Sequence, residues 1–383
     1  MCASGGTHGS RPTLGKFEQS LRLSWRRRIA LVLLAGLVSA CTAERRVVTI
    51  TATPQTTMAL PADGVGSYDF PPGINPLTGL PVDSPDVLNR RPLAIKISNA
   101  PESVRPQAGI GAADLVFEHY VESHLTRFTA IFWTHTPPRV GSVRSARLID
   151  LEIPIMYGAL FAYSGASDPI RARIAESPFA ERAYEGVSTG SPLYFRDEQI
   201  EVPHNLFVIP AEVWARASAD GVNTPPDNLG GIAFSTVPPS GTPSARQITI
   251  DYGPDLVRWE YNPATGRYLR FSDGEPHRDA NTGQQVSAAN VVLIFAPHRE
   301  DTSIVESEWQ GKKDYSIEIQ LWTSGPATLF RDGHRVQGFW MRRTKEDTLS
   351  FWADKGGTQS LYFRPGNSWF EVVPIDFTGV TAR

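Results

Sequence analysis

Hydrophobic and polar residues follow two different patterns along this chain, and the change between them comes near residue 240. Between residues 73 and 235, short apolar runs such as Leu93–Ser98 alternate with helical patterns such as Pro210–Asp220. After residue 240, apolar and polar residues alternate with period two in successive runs that are separated by turn sequences such as N-P-A-T-G. Interleaved strands and helices predict an α/β domain, whereas period-two strands joined by short turns predict an antiparallel sandwich or barrel.

The predicted fold class is therefore α+β. We expect an N-terminal α/β domain with a mixed sheet over residues 73–235 and a C-terminal antiparallel all-β domain over residues 240–383. The stretch 223–243 is crowded with Pro, Gly, Asn, Ser and Thr, which indicates the boundary. A chain of 383 residues, 41% hydrophobic and 20% charged, is long enough for two folded domains.

Residues 1–40 have the parts of a secretory signal peptide. Three arginines, Arg26 to Arg28, precede an apolar run over 29–38 that is too short to span a bilayer. The run ends in L-V-S-A-C, which resembles the bacterial lipobox, so lipid on Cys41 is expected to anchor the chain to the extracytoplasmic face of a bacterial cell membrane. The segment before Arg22 is long for a signal peptide and is consistent with a translation start downstream of Met1.

Residues 41–72 lack a sustained helical pattern, and we interpret them as a flexible tether. A short edge strand over 47–51 is the alternative. Cys2 and Cys41 are the only cysteines, so the mature body has no disulfide framework, cysteine nucleophile or thiolate metal site.

The charge of the chain argues against nucleic-acid binding. The formal net charge is -3, and residues 1–40 hold six basic groups and one acid, so the rest has 31 basic and 39 acidic groups, or -8. A body this acidic is a poor general binder of nucleic acid, and any anion site must be local.

The stretch Gly141 to Arg147, G-S-V-R-S-A-R, is the most informative candidate site. Ser142 is predicted to cap a helix that runs to Ile153. Arg144 and Arg147 then lie in the first turn, where a positive charge is disfavoured unless an anion is present. Serine hydroxyls, including that of Ser145, free amides and two guanidinium groups together predict an anion site. The alternative is that Arg147 pairs with Asp150 while Arg144 points into solvent.

Two further residues are candidate neighbours of these arginines. Ser164 follows an apolar strand over 159–163, and ligands of α/β sheets gather beyond the carboxyl ends of strands. Ser164 is not in a G-x-S-x-G elbow, because Ala162 stands at the first glycine, so a capping hydroxyl is favoured over a nucleophile. His204 is a candidate general base or anion ligand, and a structural hydrogen-bond donor is the alternative.

The acids and histidines at 118–124 are residue types that bind metals, but their spacing argues against a metal site. Glu118 and His119 are successive residues of a predicted strand and point to opposite faces, so they do not share one ion. No Walker loop, zinc spacing or dinucleotide fingerprint is present in the sequence, so we expect no metal and no cofactor.

Several spaced blocks resemble the YerB-like bacterial lipoprotein family, a family built on a domain of unknown function. The blocks in the first half are I-N-P-L-T-G-L-P, R-P-L-A-I-K-I-S-N, A-D-L-V-F-E, T-R-F-T-A-I-F, G-S-V-R-S-A-R and P-H-N; those in the second half are D-A-N-T-G-Q-Q-V-S-A-A-N-V-V, G-F-W-M-R-R and P-G-N-S-W-F-E-V-V-P. The resemblance covers residues 73–376 and implies a two-part, membrane-anchored, extracytoplasmic protein. It implies no activity. Ser142 replaces the proline of the family's usual G-P-V-R-S-A-R.

Three functional hypotheses follow. The first is a non-catalytic protein that binds an anionic cell-envelope ligand, such as a carboxylate or phosphate of a wall polymer, through Arg144, Arg147 and their neighbours. The second is an envelope hydrolase in which the arginines position the substrate and His204 or Glu118 transfers the proton. The third is a scaffold whose β domain binds another protein through an exposed apolar patch.

Overall fold

A computed structural model describes residues 64–383. The predicted signal peptide, Cys41 and the tether up to residue 63 lie outside the described residues. Within residues 64–383, no helix is both long and apolar enough to cross a membrane.

The described chain is mostly β-structure with short helices. The strands, in chain order, are β1 Ile74–Asn75, β2 Leu80–Pro81, β3 Leu93–Ser98, β4 Leu115–Tyr120, β5 Thr126–Phe132, β6 Val140–Gly141, β7 Leu160–Tyr163, β8 Ala183–Glu185, β9 Tyr194–Arg196, β10 Leu206–Val208, β11 Ala233–Phe234, β12 Gln247–Asp251, β13 Leu256–Asn262, β14 Arg267–Ser272, β15 Glu275–Pro276, β16 Ser287–Ala288, β17 Asn290–Ala296, β18 His298–Trp309, β19 Lys312–Ile319, β20 Thr323–Arg331, β21 His334–Arg342, β22 Ser350–Trp352, β23 Tyr362–Phe363, β24 Ser368–Pro374 and β25 Val380–Ala382. The α-helices are α1 Ile153–Met156, α2 Asp168–Ala175, α3 Gly186–Thr189 and α4 Pro210–Ala219. The 3-10 helices are Pro85–Asn89, Glu102–Val104, Ile110–Ala112, Glu122–His124, Leu148–Leu151 and Ala180–Arg182.

A ten-stranded mixed sheet forms the centre of the fold. Its strand order is β22-β21-β20-β17-β24-β4-β5-β3-β7-β8. The halves of the chain meet where β24 pairs in parallel with β4 on one side and with β17 on the other. The sheet therefore takes strands from both sides of the predicted boundary near residue 240.

The two faces of this sheet bury separate hydrophobic cores. Along β4, Phe117 belongs to one core and Val116 to the other, as expected when successive side chains of a strand point to opposite faces. The first face is covered by the short helices around Ile149 and by α2. The second packs against a six-stranded sheet of order β15-β14-β13-β12-β25, in which β16 also pairs with β14.

The predicted fold class is confirmed: the structure has a large mixed sheet and separate antiparallel sheets in its C-terminal part. Several predicted elements match closely, including β3 at Leu93–Ser98 and α4 at Pro210–Ala219. The division into domains at residues 235–240 stays a prediction.

The helix predicted from Ser142 is wrong. Residues 142–147 are not helical, a 3-10 helix occupies Leu148–Leu151, and only Ile153–Met156 is α-helical. The backbone of the segment is hydrogen-bonded to its neighbours instead: Arg144 N donates to Lys96 O at 3.0 Å and Val143 N donates to Leu206 O at 2.8 Å. These tertiary hydrogen bonds outweigh the local preference for a helix, so Ser142 caps no helix, and Arg147 instead precedes the 3-10 helix Leu148–Leu151.

Candidate functional site

The segment 142–146 lies beside β3 at the point where β7 ends, with Val143 forming an isolated bridge to Ile97. Ser98 N donates to Ser142 O at 2.9 Å, and Ser164 N donates to Arg144 O at 2.9 Å. Where β7 ends, this segment therefore takes over its position beside β3. Ser164 lies just beyond the carboxyl end of β7. Because β3 and β7 are parallel, this edge is where side chains from several loops meet.

Arg144 is the exceptional side chain of this segment. It is half-buried, and its Nε is buried without a hydrogen-bond partner. Among residues 64–383, no carboxylate lies within ion-pair distance of its guanidinium, whereas neighbouring Arg127 and Arg147 are both paired. Burial and the nearby charge of Arg147 lower the pKa of Arg144. A guanidinium in this state is electrostatically under-compensated.

Two more polar atoms beside Arg144 have no partner. Ser142 Oγ is buried and unpaired, and Ser142 lies two residues before Arg144 in the chain. His204 Nδ1 is also buried and unpaired, and the contact between Val143 N and Leu206 O brings its loop alongside. Burial and the charge of Arg144 lower the pKa of His204, so the imidazole is neutral at pH 7.

Arg147 is locked onto internal carboxylates and is not free to bind a ligand. Its Nε donates to Glu122 Oε2 at 2.6 Å, its Nη1 donates to Ala146 O at 2.8 Å, and Nη1 lies 3.5 Å from Glu306 Oε2. Its side chain is only 7% exposed. Burial opposes ionisation of Glu122, but the hydrogen bond from Arg147 and the charges of Arg127 and Arg147 lower its pKa to about 2. Arg147 therefore supports the site rather than contacting a ligand.

A fully buried lysine lies beneath the segment. Lys96 Nζ is 2.8 Å from Asp150 Oδ2, 2.7 Å from His119 Nε2 and 3.1 Å from Thr129 Oγ1. Asp150 also accepts the backbone N–H of Arg147 at 2.7 Å, so the predicted pairing of Arg147 with Asp150 is made by main chain and not by the guanidinium. Burial lowers the pKa of Lys96 to about 8 in spite of Asp150. Sequence reasoning missed Lys96, although a lysine in the middle of L-A-I-K-I-S is a visible signal of a buried charge.

The charges around Arg144 do not balance. We call the following seven residues the cationic cluster. Its cations are Lys96, Arg127, Arg144 and Arg147, and its carboxylates are Glu122, Asp150 and Glu306. Within the described part of the chain, the cluster thus carries one positive charge more than it has carboxylates, and Arg144 is the cation without a partner.

The two remaining predicted serines lie at the rim of the site. Ser145 is half-buried and accepts a 2.9 Å hydrogen bond at its carbonyl oxygen from Arg127 Nη1. Ser164 is also half-buried. The predicted capping role is not seen at α2, which begins after Ser167 with no side-chain cap.

Glu118 lies elsewhere. Its register on β4 points it to the face opposite His119, where Oε2 accepts hydrogen bonds from Arg270 at 2.7 Å and from Trp369 at 3.1 Å. It is fully buried, and none of its hydrogen-bond partners among residues 64–383 belongs to the cationic cluster. Over that same range, no three His, Cys, Asp or Glu side chains are grouped as metal ligands would be.

A cavity of about 920 Å³ does not include Arg144 or Arg147 in its lining. It is lined by loops around Gly111, Asp279 and Asn367. Asp279 accepts Gly111 N at 2.8 Å, and Arg267 donates to Asn367 Oδ1 at 2.6 Å, so these polar groups are satisfied internally. The chemistry of unpaired groups lies at Arg144, and we therefore place the candidate site there.

The scaffold hypothesis requires an exposed apolar patch within residues 240–383. Large exposed apolar side chains there are Leu256, Val305, Trp309, Trp322, Tyr362 and Ile375. They occur on separate strands and loops, and protein binding through this half stays a prediction.

Comparison with known proteins matches two domain families. Residues 77–223 match "Protein of unknown function (DUF3048) N-terminal domain", and residues 248–370 match "Protein of unknown function (DUF3048) C-terminal domain". The chain is 29% identical over 303 residues to "Putative lipoprotein YerB" of Bacillus subtilis (strain 168), which covers 78% of this chain and 86% of that protein. The crystal structure of the YerB protein from Bacillus subtilis aligns with a TM-score of 0.68 at 27% identity, covering 81% of this chain and 99% of the other. With both domains matched in order over most of its length, this chain belongs to the DUF3048 family, a family of uncharacterised proteins with a lipoprotein among its relatives.

Proposed function

We propose that this protein is anchored through lipid on Cys41 to the extracytoplasmic face of the cell membrane and binds an anionic group of a cell-envelope ligand at Arg144. The arrangement of basic residues, apolar run and L-V-S-A-C supports the anchor, as does a relative whose name calls it a lipoprotein.

One observation carries the anion proposal: Arg144 is a half-buried guanidinium with no acidic partner among residues 64–383. Removing a charged group from water is costly unless it is paired, and the neighbouring cations Arg127 and Arg147 add to that cost. A carboxylate or phosphate oxygen would restore the balance and supply an acceptor for Arg144 Nε. Ser142 Oγ can donate to the same anion, and His204 can donate from Nδ1 in the matching tautomer.

Binding is better supported than hydrolysis. The hydrolase hypothesis needs a base within hydrogen-bond reach of a nucleophile or water beside the arginines. Glu118 is buried on the opposite face of the sheet with side-chain partners of its own. His204 remains beside Arg144, but no hydroxyl among residues 64–383 is hydrogen-bonded to its imidazole.

The experiment is a calorimetric titration of the full-length lipoprotein in detergent with dimethyl phosphate and with acetate. We expect Arg144→Gln to weaken binding at least about tenfold, which corresponds to about 1.4 kcal/mol. Arg171→Gln is the matched control, because Arg171 is a nearby arginine that is already paired with Asp168 and Glu185. Equal affinities of the wild-type protein and Arg144→Gln would refute the proposal.

A further inference from the structure

We infer that the cavity of about 920 Å³ beside Gly111 and Asn367 is a second binding site, and that it takes an uncharged saccharide. No residue of the cationic cluster lines this cavity, so the second site goes beyond the anion binding proposed for Arg144. Its volume lies within the range of about 300–1,000 Å³ that is usual for ligand sites.

Both halves of the chain form the walls of the cavity. The first half contributes the β1–β2 hairpin, the loop 109–114 and the loop 134–138, and the second half contributes the loop 279–287 and residues 366–367. Asp114 and Asn367 directly precede the parallel strands β4 and β24. Ser164, in contrast, follows β7, which runs in the same direction as β4. These walls and Ser164 therefore lie at opposite ends of the strands of the central sheet.

Two buried carboxylates hold the walls together. Asp114 is 1% exposed and accepts hydrogen bonds from Asn75 Nδ2 at 2.8 Å and from Thr134 Oγ1 at 2.7 Å, so it joins the β1–β2 hairpin to the loop after β5. Asp279 is 3% exposed and accepts the backbone N–H of Gly111 at 2.8 Å, so it joins loops from the two halves of the chain. Walls that are fixed in this way before binding reduce the entropic cost of holding a ligand.

The charged side chains of the lining do not share one sign. They are Asp83, Asp114, Asp279 and Arg267. Arg267 donates from Nε to Ser287 Oγ at 2.9 Å and from Nη2 to Asn367 Oδ1 at 2.6 Å. A cationic ligand would be repelled by this guanidinium and an anionic ligand by the carboxylates, whereas hydroxyl groups donate to carboxylates and accept from a guanidinium. The lining therefore favours an uncharged ligand that is rich in hydroxyl groups.

Apart from His135, the remaining hydrogen-bonding side chains of the lining are hydroxyls and amides, among them Ser84, Thr136, Thr282, Asn281 and Gln284. Gln284 is exposed, and its side-chain amide has no hydrogen-bond partner among residues 64–383, so its donor and its acceptor are both available. Hydroxyls and amides each donate and accept, as the hydroxyl and acetamido groups of saccharides do. The uncharged part of the lining thus matches the same class of ligand.

Apolar side chains cover the rest of the walls and include Pro81, Val82, Pro138 and Val286. They provide contacts for the C–H faces of a pyranose ring, which are apolar. A peptide is the alternative uncharged ligand, and it would bind most readily by adding a strand to a sheet edge. The strand β2, which borders the cavity, has only two residues, and its Pro81 has no N–H to donate. The walls therefore favour a saccharide over an extended peptide.

The test is a calorimetric titration of the full-length lipoprotein, in a detergent without sugar groups, with N,N′-diacetylchitobiose, cellobiose and maltose. Cellobiouronic acid is the charged arm, and N-acetyl-trialanine amide is the peptide arm. We expect at least one neutral disaccharide to bind at least fivefold more tightly than either of these two probes. Ala112→Trp, which places an indole in the cavity, should weaken this binding at least tenfold, and Gln284→Ala should weaken it at least threefold. Gln359→Ala is the matched control, because Gln359 is an exposed glutamine outside the lining.

The outcomes are separate from those for the anion site, because Arg144→Gln should leave disaccharide binding unchanged. No saturable binding of any neutral disaccharide, or tighter binding of cellobiouronic acid or of the peptide, would overturn the inference. Disaccharide binding that Gln284→Ala and a folded Ala112→Trp both leave unchanged, or that Arg144→Gln abolishes, would overturn it as well. If circular dichroism shows that Ala112→Trp does not fold, Gln284→Ala and the comparison of probes decide.

Discussion

Glu118 and Glu371 occupy paired positions on the parallel strands β4 and β24, and both carboxyl groups are fully buried. Arg270 lies 2.7 Å from Glu118, while Glu371 accepts hydrogen bonds from Tyr252 at 2.6 Å and from Trp259 at 2.8 Å. This pair lies where the halves of the chain join. Burial and the adjacent negative charge of Glu118 raise the pKa of Glu371 to about 8.

The raised pKa predicts that stability falls as pH rises. The folded protein keeps a proton on Glu371 between about pH 4.3, where the unfolded chain releases it, and the folded pKa of about 8. Because the folded state binds more protons in this window, the free energy of unfolding decreases with pH, at a slope approaching about 1.4 kcal/mol per pH unit.

Urea unfolding of the wild type and of Glu371→Gln at pH 5, 6, 7 and 8 tests this. The variant should lose this contribution to the slope and gain stability relative to the wild type as the pH rises. Glu275→Gln, at an exposed acid, is the control and should follow the wild type. Parallel pH curves for wild type and Glu371→Gln would show that Glu371 does not hold the proton.

The buried pair of Lys96 and Asp150 should contribute strongly to the stability of the fold. Replacing Lys96 by Met leaves Asp150 without its cationic partner in a site where both side chains are 0% exposed. We expect Lys96→Met to lower the free energy of unfolding by about 3–5 kcal/mol.

A double substitution and a surface pair serve as controls for this prediction. Lys96→Met with Asp150→Asn should recover part of the loss, because no unpaired charge remains. Arg216→Met at the exposed pair with Asp220 should cost less than about 1 kcal/mol. Similar losses at Lys96 and Arg216 in urea unfolding would contradict the account.

Arg144 and Arg147 should have opposite effects on stability. Arg147→Gln leaves Glu306 without its arginine and Glu122 with Arg127 alone, and should cost about 3–5 kcal/mol. Arg144→Gln removes a half-buried cation without a partner and should be neutral or stabilising by up to about 1 kcal/mol, as is common when a binding residue is replaced. Thermal unfolding without added anion makes the comparison, and a large loss in Arg144→Gln would mean that Arg144 is structural.

Cys41 should be required for attachment to the membrane. Lipid on this residue would anchor the chain, and Cys41→Ser should abolish incorporation of labelled palmitate and move the protein from the membrane fraction to the supernatant. Ser39→Thr, which keeps Cys41, is the control. Palmitate incorporation into Cys41→Ser would exclude Cys41 as the lipidated residue.

Local patterns predicted the strands well where burial alternates or is continuous. The strand Leu93–Ser98 was predictable because an apolar run is bounded by Pro92 and Asn99. The strand His298–Trp309 was missed, because H-R-E-D-T-S-I-V-E-S-E-W has no regular alternation and the hairpin is largely exposed. A strand can thus be predicted from sequence only where at least one of its faces is buried.

The sequence indicated several residues of the candidate site but not how they are arranged. The sequence pattern singled out Arg144, Ser164 and His204, and the fold brings them together at one edge of the sheet. The sequence pattern did not indicate that internal carboxylates would bind Arg147. Glu122 lies 25 residues away, and Glu306 comes from a hairpin far along the chain. The helix at Ser142 failed for the same reason, since its backbone partners come from distant strands.

A crystal structure of the protein with dimethyl phosphate at pH 7 tests the central claim most directly. The account predicts the anion within hydrogen-bond distance of the Arg144 guanidinium and close to Ser142 Oγ and His204, with Arg147 still bound to Glu122. An empty site in which Arg144 extends into solvent, in crystals that hold the anion elsewhere, would contradict it.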